Sequence, residues 1–411
     1  MTRIVGATRT RGDRPTAFVL NAGLAGLGAI RSLGRAGVPV VALDPEPSRV
    51  GFASRYCTGR RCPHPVDEPD QLLEFLIAQA RGESQRPVLS PASDAWVLFL
   101  SRHRDELRDS FRFNLPSHEV VEASVDKRAL YALAARVGVP HAATHYPETL
   151  DDVRDVAAAV EYPVYIKPYY SHLWHAAFPG TGKGIKASSA AQLVESFARI
   201  LPTGTQAMVQ EIIRGPATNV QSIRVYITQD GSLLGAFTNR KIRQYPVEFG
   251  RATMAESIHD PAFRDMGIRF FQDIDYRGFG LIEFKRDDRD GVLKVTDLNP
   301  RWLKTVNIAT DSGIDFPLMH YLDLIGEEPP AQLQFEAGVR WLDAAGDFAS
   351  AMSLIGIGDL SRLAWVRSWL GSRSFSSFAI DDWRPFLTEY RYGRRLVSAP
   401  VQLVRGALTR S

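Results

Sequence analysis

Lysine is scarce in this 411-residue chain: eight side chains are Lys and 41 are Arg, and every Lys falls between residues 127 and 304. A chain that writes its surface cations as Arg has kept the compact ammonium, a point charge suited to polyphosphate, for one central region. Cysteine is nearly absent. Cys57 and Cys62 alone exclude a disulfide framework and a cysteine zinc site, and reduced thiols are expected. No apolar run approaches the ~18 residues of a spanning helix. The opening MTRIVGATRTRGDRP lacks the apolar stretch of a secretory signal, so a cytoplasmic location is expected. A net charge of +3 leaves little for a nucleic acid to bind, since phosphate backbones need a concentrated basic face. An apolar content of 45% excludes disordered and collagenous chains, and the length suggests two or three domains.

After an Arg-bearing tail over residues 1–15, strand-like TAFVLNA, helical GLGAIRSLGRAG and strand-like VPVVALD form a βαβ pattern. Alternation continues to about residue 115 and predicts a parallel, doubly wound, Rossmann-like domain over 16–118. Gly23, Gly26 and Gly28 have the spacing GxxGxG, not that of the dinucleotide fingerprint, so tight turning and close helix packing are the favoured reading. From Ser124 the character changes. SVDKRALYALAARVG predicts a helix capped by Ser124, YPVYIKPYY a strand bearing Lys167, and residues 171–184 a long loop of the kind that is usually functional. Further on come the helix SAAQLVESFARIL, the strand AMVQEII, two strands around Asp230-Gly231, a helix near 260–275 and a hairpin from Leu281 to Arg301. This mixture predicts an α+β body. Residues 331–411 are lysine-free and Trp-bearing and close on YRYGRRLVSAPVQLVRGALTRS. Contact of that basic tail with a membrane or partner stands against a plain docking helix or loose terminus.

The hairpin carries the chemistry. Strand alternation sets Glu283 opposite in facing to Ile282 and Phe284, and puts Asp297 and Asn299 on one face. A three-residue loop Arg289-Asp290-Gly291 pairs Asp288 with Val292, and hence Glu283 with Asp297. Two carboxylates and an amide oxygen on one sheet face need a cation, and hard oxygens suit Mg2+; a solvated polar face is the bland alternative. Arg301 adds a forked cation for a carboxylate or a developing oxyanion.

Over residues 16 to 330 the chain resembles the ATP-grasp ligases, and among them the carboxylate–amine ligases of D-aspartate ligase type. The motifs are DKRALYALAARVGVP, PVYIKP, GTGKGIKASSAAQL, VQEIIRGP, FTNRKIRQYPVEFG, IEFKRDDRDG and DLNPR followed by GIDFP. The resemblance implies an ATP-grasp lid over 119–206, a C-terminal subdomain with the metal site over 207–330, and an extension over 331–411. It implies Lys127, Lys167 and either Lys183 or Lys186 on ATP phosphates, and Gln210, Glu211 and Ile213 at the adenine edge. Glu283, Asp297 and Asn299 become ligands of one or two Mg2+ ions, for which Mn2+ is a substitute. Arg301 would face the substrate, and Arg240, Lys241 and Arg243 the phosphoryl group and acyl substrate. Two departures stand out. Asp297 replaces a more usual Glu, and Ala217 and Thr218 replace acidic residues after the hinge glycine, leaving Asn219 for the ribose.

The implied reaction joins a carboxylate to an amine, either an amino acid or a peptide, through an acyl phosphate, with release of ADP and phosphate. The loop over 171–184 would exclude water. His172 and His175, with Trp174 between them, and the hydroxyls of Tyr169 and Tyr170 are further candidates for contact or base chemistry. The resemblance also implies a homodimer. Three rivals remain: a nucleotide binder without turnover, a nicotinamide oxidoreductase on the first βαβ unit, and an adenylate-forming enzyme releasing AMP and pyrophosphate.

Overall fold

The computed structural model describes residues 14–169, 174, 178 and 184–390. The first sheet is wholly parallel, with strands β1 (Ala17–Leu20), β2 (Val40–Asp44), β3 (Thr58–Arg61) and β4 (Val88–Pro91) in the order β3-β2-β1-β4. Strands β1, β2 and β4 are buried along their whole length, and in β1 and the first four residues of β2 that burial shows in the sequence as an apolar run. Strand β3, TGRR, is exposed throughout and gave no such signal. Gly28 is a packing residue: a Cβ there would lie 2.3 Å from Val306 Cγ1. Asp44, fully buried, accepts from the Ala22 amide at 2.9 Å and from Arg49 Nε at 3.2 Å. It holds the first turn in place. Cys57 and Cys62 are free thiols, and burial pushes both up to about 12.

The second sheet is antiparallel, with β5 (Thr144–His145), β6 (Val164–Pro168), β7 (Ile185–Ala187) and β8 (Ala207–Glu211) in the order β5-β8-β6-β7. Helices Leu150–Ala159 and Ala190–Ile200 cover it, started by a Thr149–Asp152 capping box and by the Ser189 side chain. Trp174 is fully buried among Ile166, Phe197 and Val209, with its ring 4.6 Å from that of Phe178. It is a core residue of this layer. His172, His175, Tyr170 and Lys183 lie outside the described residues.

The third sheet has seven strands: β9 (Val220–Ile227), β10 (Leu233–Tyr245), β11 (Arg251–Ser257), β12 (Gly278–Arg286), β13 (Leu293–Asn299), β14 (Arg340–Leu342) and β15 (Ser372–Phe375). Their order is β13-β12-β9-β10-β11-β14-β15, and only the β14–β15 pair is parallel. Two expected boundaries shift. The sheet continues past residue 330, because the extension supplies β14 and β15. Helix Lys127–Arg136 buries Leu130 and Tyr131 in the cluster that holds Ile223, Ile282 and Val295 of the third sheet, with Met208 from the second, so its core is chiefly that of the third. Its cap is Asp126, which accepts from the amides of Arg128 and Ala129, whereas Ser124 belongs to the preceding helix, His118–Val125.

Candidate functional site

Glu283 and Asp297 are cross-strand neighbours on β12 and β13, and Asn299 pairs with Leu281. The expected pair forms by an unexpected route. Asp287 N donates to Val292 O and Gly291 N to Asp287 O, so the loop spans four residues, 288–291, instead of three. That offset runs through Phe284–Val295 and is cancelled by a bulge at Thr296. The Thr296 hydroxyl donates to Glu283 O at 3.1 Å and locks the correction in place.

Each carboxylate meets a lysine from a different element. Lys241 of β10 reaches Glu283 at 3.0 Å, and Lys127 pairs with Asp297. Lys127 stands at the first position of its helix, the positive end of the dipole, where a cation is disfavoured. Burial also works against its charge, but Asp297, Tyr131 and Asp94 outweigh that and raise its pKa. Local helix preference is overruled here by the site. Lys167 donates to Gln210 Oε1 at 2.6 Å, and Gln210 Nε2 to Thr144 at 2.9 Å. Tyr131, one turn after Lys127, reaches the same Gln210 oxygen at 3.5 Å. Burial resists its ionisation, yet the Lys167 and Lys127 charges draw the phenol below its ordinary pKa.

Along the hinge, Glu211 accepts from Lys294 and Arg289, each at 2.9 Å, and from the Ala143 amide at 3.0 Å. Burial would raise its pKa, but these donors hold it below the usual value. Its side chain is a brace between the second and third sheets. The Ile213 carbonyl accepts from Lys285 at 2.7 Å, and burial lowers the Lys285 pKa. Asn219 donates to Asp288 at 2.6 Å and to the Arg286 carbonyl at 3.0 Å. Gly215, at φ +111, makes room for this pair: a Cβ would sit 2.2 Å from Asn219 Nδ2. The acid beside the hinge glycine therefore comes from the β12–β13 loop, as Asp288. Lys186 is exposed and pairs with Glu248 at 3.0 Å.

The basic trio on β10 is divided. Only Lys241 meets the carboxylates. Arg240 pairs across the strand with Glu256 at 2.9 Å, which Arg340 also contacts. Arg243 is buried, and its Nε and Nη2 donate to Asp347 of the extension at 2.8 Å. Irregular register on either side of Arg243 accompanies this diversion. Arg301 is gripped by both oxygens of Asp94, at the start of helix Asp94–Arg102 beyond the carboxyl end of β4. Burial opposes the Arg301 charge, and the Asp94 carboxylate more than restores it. The crevice outside the carboxyl ends of parallel strands is where open α/β sheets place their ligands.

Two 21%-identical relatives bear on this geometry. D-aspartate ligase from Enterococcus faecium (strain Aus0004) aligns over 280 residues, covering 64% of this chain and 65% of that protein. The N-terminal section of the carbamoyl phosphate synthase large chain from Methanopyrus kandleri aligns over 305 residues, covering 69% and 50% respectively. This chain thus spans between half and two thirds of the curated relatives it matches. Among solved structures, N5-carboxyaminoimidazole synthetase from Staphylococcus aureus, complexed with ADP, superposes with a TM-score of 0.61 at 14% identity, covering 79% of this chain and 80% of its own. The chain has the ATP-grasp fold. No protein-family model matches it. Among the described residues no helix is long and apolar enough to cross a membrane.

Within the ATP-grasp fold, the sequence reading missed three groups that touch this face. Asp94 carried no motif because its partner lies 207 positions away. Tyr131 was readable, four residues after Lys127 and hence on the same helix side. Arg224 of β9 lies opposite Leu281, on the row that includes Ser222 and Glu283. It is 1% exposed, and hydrogen-bonds Asn239 and, at 2.7 Å, the Thr305 hydroxyl. Burial lowers its pKa to about 9, against the pull of Glu283. A lone Arg within the strand SIRVYIT carries no motif that sets it apart.

Proposed function

We propose that this protein is an ATP-dependent carboxylate–amine ligase. The observation that carries the reading is the Glu283–Asp297 pair, each carboxylate matched by a lysine from elsewhere in the fold. Such matched pairs can trade partners: triphosphate draws the two ammonium groups, and a divalent cation the two carboxylates. The donor chemistry fits Mg2+, with two carboxylates and the Asn299 amide, whose side chain makes no hydrogen bond among the described residues. Those same residues contain no ready-made cluster of three His, Cys, Asp or Glu ligands, and phosphate and water supply the balance of such a site. When bound, the ion would neutralise charge on the transferring phosphoryl group.

Lys127 and Lys167 would hold phosphates, and Lys241 would screen the approach of the anionic carboxylate to the γ-phosphorus. The carboxylate oxygen then bonds to that phosphorus while the β–γ bridging oxygen leaves with ADP. The amine attacks the acyl phosphate, phosphate departs, and the amine loses a proton. Arg301 would stabilise the tetrahedral oxyanion, with Asp94 setting its orientation. Arg243, with its Nε and Nη2 committed to Asp347, has no part in this scheme, and Arg240 stands one residue out of phase with Lys241. Amino acids or short peptides are the proposed substrates.

The test is a screen of amino-acid and dipeptide pairs with MgATP, reading phosphate release and product mass, with hydroxylamine present to trap the acyl phosphate. ADP, phosphate and a hydroxamate are expected. Release of AMP and pyrophosphate, or ATP binding without turnover for any pair, would overturn the reading.

A further inference from the structure

The described part of the extension carries an unusual surface. Of the fifteen large apolar side chains exposed in the described chain, eleven fall between Phe348 and Tyr390. Helix Arg362–Trp369 shows how they are arranged. Trp365 and Trp369 turn inward and donate their indole N–H groups to Asp347 at 3.0 and 2.8 Å. Leu363, Val366 and Leu370, at helical spacings of three and seven, form an outward stripe at 60, 55 and 68% exposure. Arg362 and Arg367 are exposed on either side of that stripe. A helix apolar on both sides, in a chain that places its other apolar residues well, has a second surface to cover.

Charge limits what can cover it. Arg362, Arg367, Arg373 and Arg384 are exposed here, Arg373 in a pair with the exposed Glu336, against Asp359 as the exposed acid of the segment itself. Asp381 is turned toward Arg35, Glu389 is partly buried, and Asp347 and Asp382 are buried. Directly after Tyr390 come 21 further residues with five arginines and no acid, interleaved with Leu and Val. A second copy would set arginine against arginine, and so would the tail folded back on the patch. A surface that offers hydrocarbon and negative charge together satisfies both features.

We propose that residues 348–390, with the basic tail 391–411, dock this protein on an anionic lipid bilayer. The apolar stripe would enter the interface while the arginines meet the headgroups. An exposed apolar face joined to a polybasic segment gives the two signals that stable peripheral attachment requires. Exposed Trp383 and Tyr390 suit the same boundary, being apolar in body and polar at one edge.

The test is co-sedimentation of the full chain with phosphatidylcholine vesicles, with and without phosphatidylglycerol, together with light scattering in the absence of lipid. Binding to the anionic vesicles alone, weakened by salt, is expected. Val366→Glu with Leu370→Glu, and separately removal of 391–411, should each weaken it about tenfold or more, with melting temperature and ATP turnover unchanged. Should the double variant misfold, the tail deletion carries the test. Protein left in the supernatant with anionic vesicles would overturn the proposal. So would a dimer in solution that the double variant splits, which would assign the face to a second copy. Neither result bears on the ligase chemistry, which is assayed without lipid.

Discussion

Of the three cations on strand β10, Lys241 and Arg243 make the sharpest contrast: each is paired with a carboxylate, and the two pairs differ in every other respect. Lys241 and Glu283 meet once, at 3.0 Å, with both side chains partly open to solvent. Asp347 is fully buried and accepts from both Arg243 donors, Thr253, Trp365 and Trp369. A single contact between groups that still reach solvent can be exchanged for a ligand, whereas a carboxylate with five donors has no capacity left. The first arrangement suits chemistry and the second suits fastening. The same fastening recurs where Asp382 takes Arg31, Ser54 and the Arg55 amide, and ties the extension to the first domain. Residues 331–390 are therefore a strap across two sheets.

The largest way to break this contrast is Asp347→Ala. Removing one partner of a buried pair leaves an uncompensated charge and typically costs about 3–5 kcal/mol. Chemical denaturation should show a loss on that scale, or a separate early transition as the strap detaches. A loss below about 1 kcal/mol would mean that the five hydrogen bonds are not the fastening.

Next in size is Arg301→Ala. Loss of one oxyanion donor costs on the order of 10²–10³ in turnover, and the fold should survive, since Asp94 is already half open to solvent. Near wild-type phosphate release in a steady-state assay would remove Arg301 from the mechanism and leave it an interdomain brace.

Much of this was legible in the sequence, and the failures have physical causes. The apolar runs announced β1 and β2, and the Gly-bearing turn announced the hairpin. The Glu283–Asp297 pair was foreseen through a loop one residue too short, and only the bulge at Thr296 made the answer come out the same. Strand alternation cannot see bulges, and the resemblance that groups Arg243 with Lys241 cannot see the irregular register that separates them. Asp94 and Asp347 were invisible because their partners lie 207 and 104 positions away. The strap showed no motif, since its strands are short and three of its acids, Asp347, Asp381 and Asp382, are spent on distant arginines.

A smaller effect sharpens the contrast from the other side. Lys241→Met should cost clearly less stability than the Asp347 variant, since both partners of its pair still reach solvent, while slowing phosphoryl transfer. Urea denaturation beside the turnover assay separates the two. A stability loss as large as that of the Asp347 variant would make Lys241 part of the frame.

The smallest effect is one of pH, and it falls on the brace behind the hinge. Arg289 and Lys294 hold Asp287 well below the usual carboxylate range, and the same cations hold Glu211 below its ordinary value. Because these groups bind protons less readily in the folded chain than in the unfolded one, their stabilisation is complete above the ordinary carboxylate pKa of about 4. It then drains away as pH falls through their lower folded values. Melting temperature should therefore drop on acidification below that point, and Asp287→Asn, which cannot titrate, should show a shallower drop from a lower start. Site and brace can be told apart in the same titration. Lys241→Met leaves the Glu211 and Asp287 donors untouched, so its acid limb should run parallel to that of the unaltered chain. A flattened limb in that variant would mean that the hinge and the carboxylate pair titrate as one network, and that the division between chemistry and frame on this sheet is not the one drawn by β10.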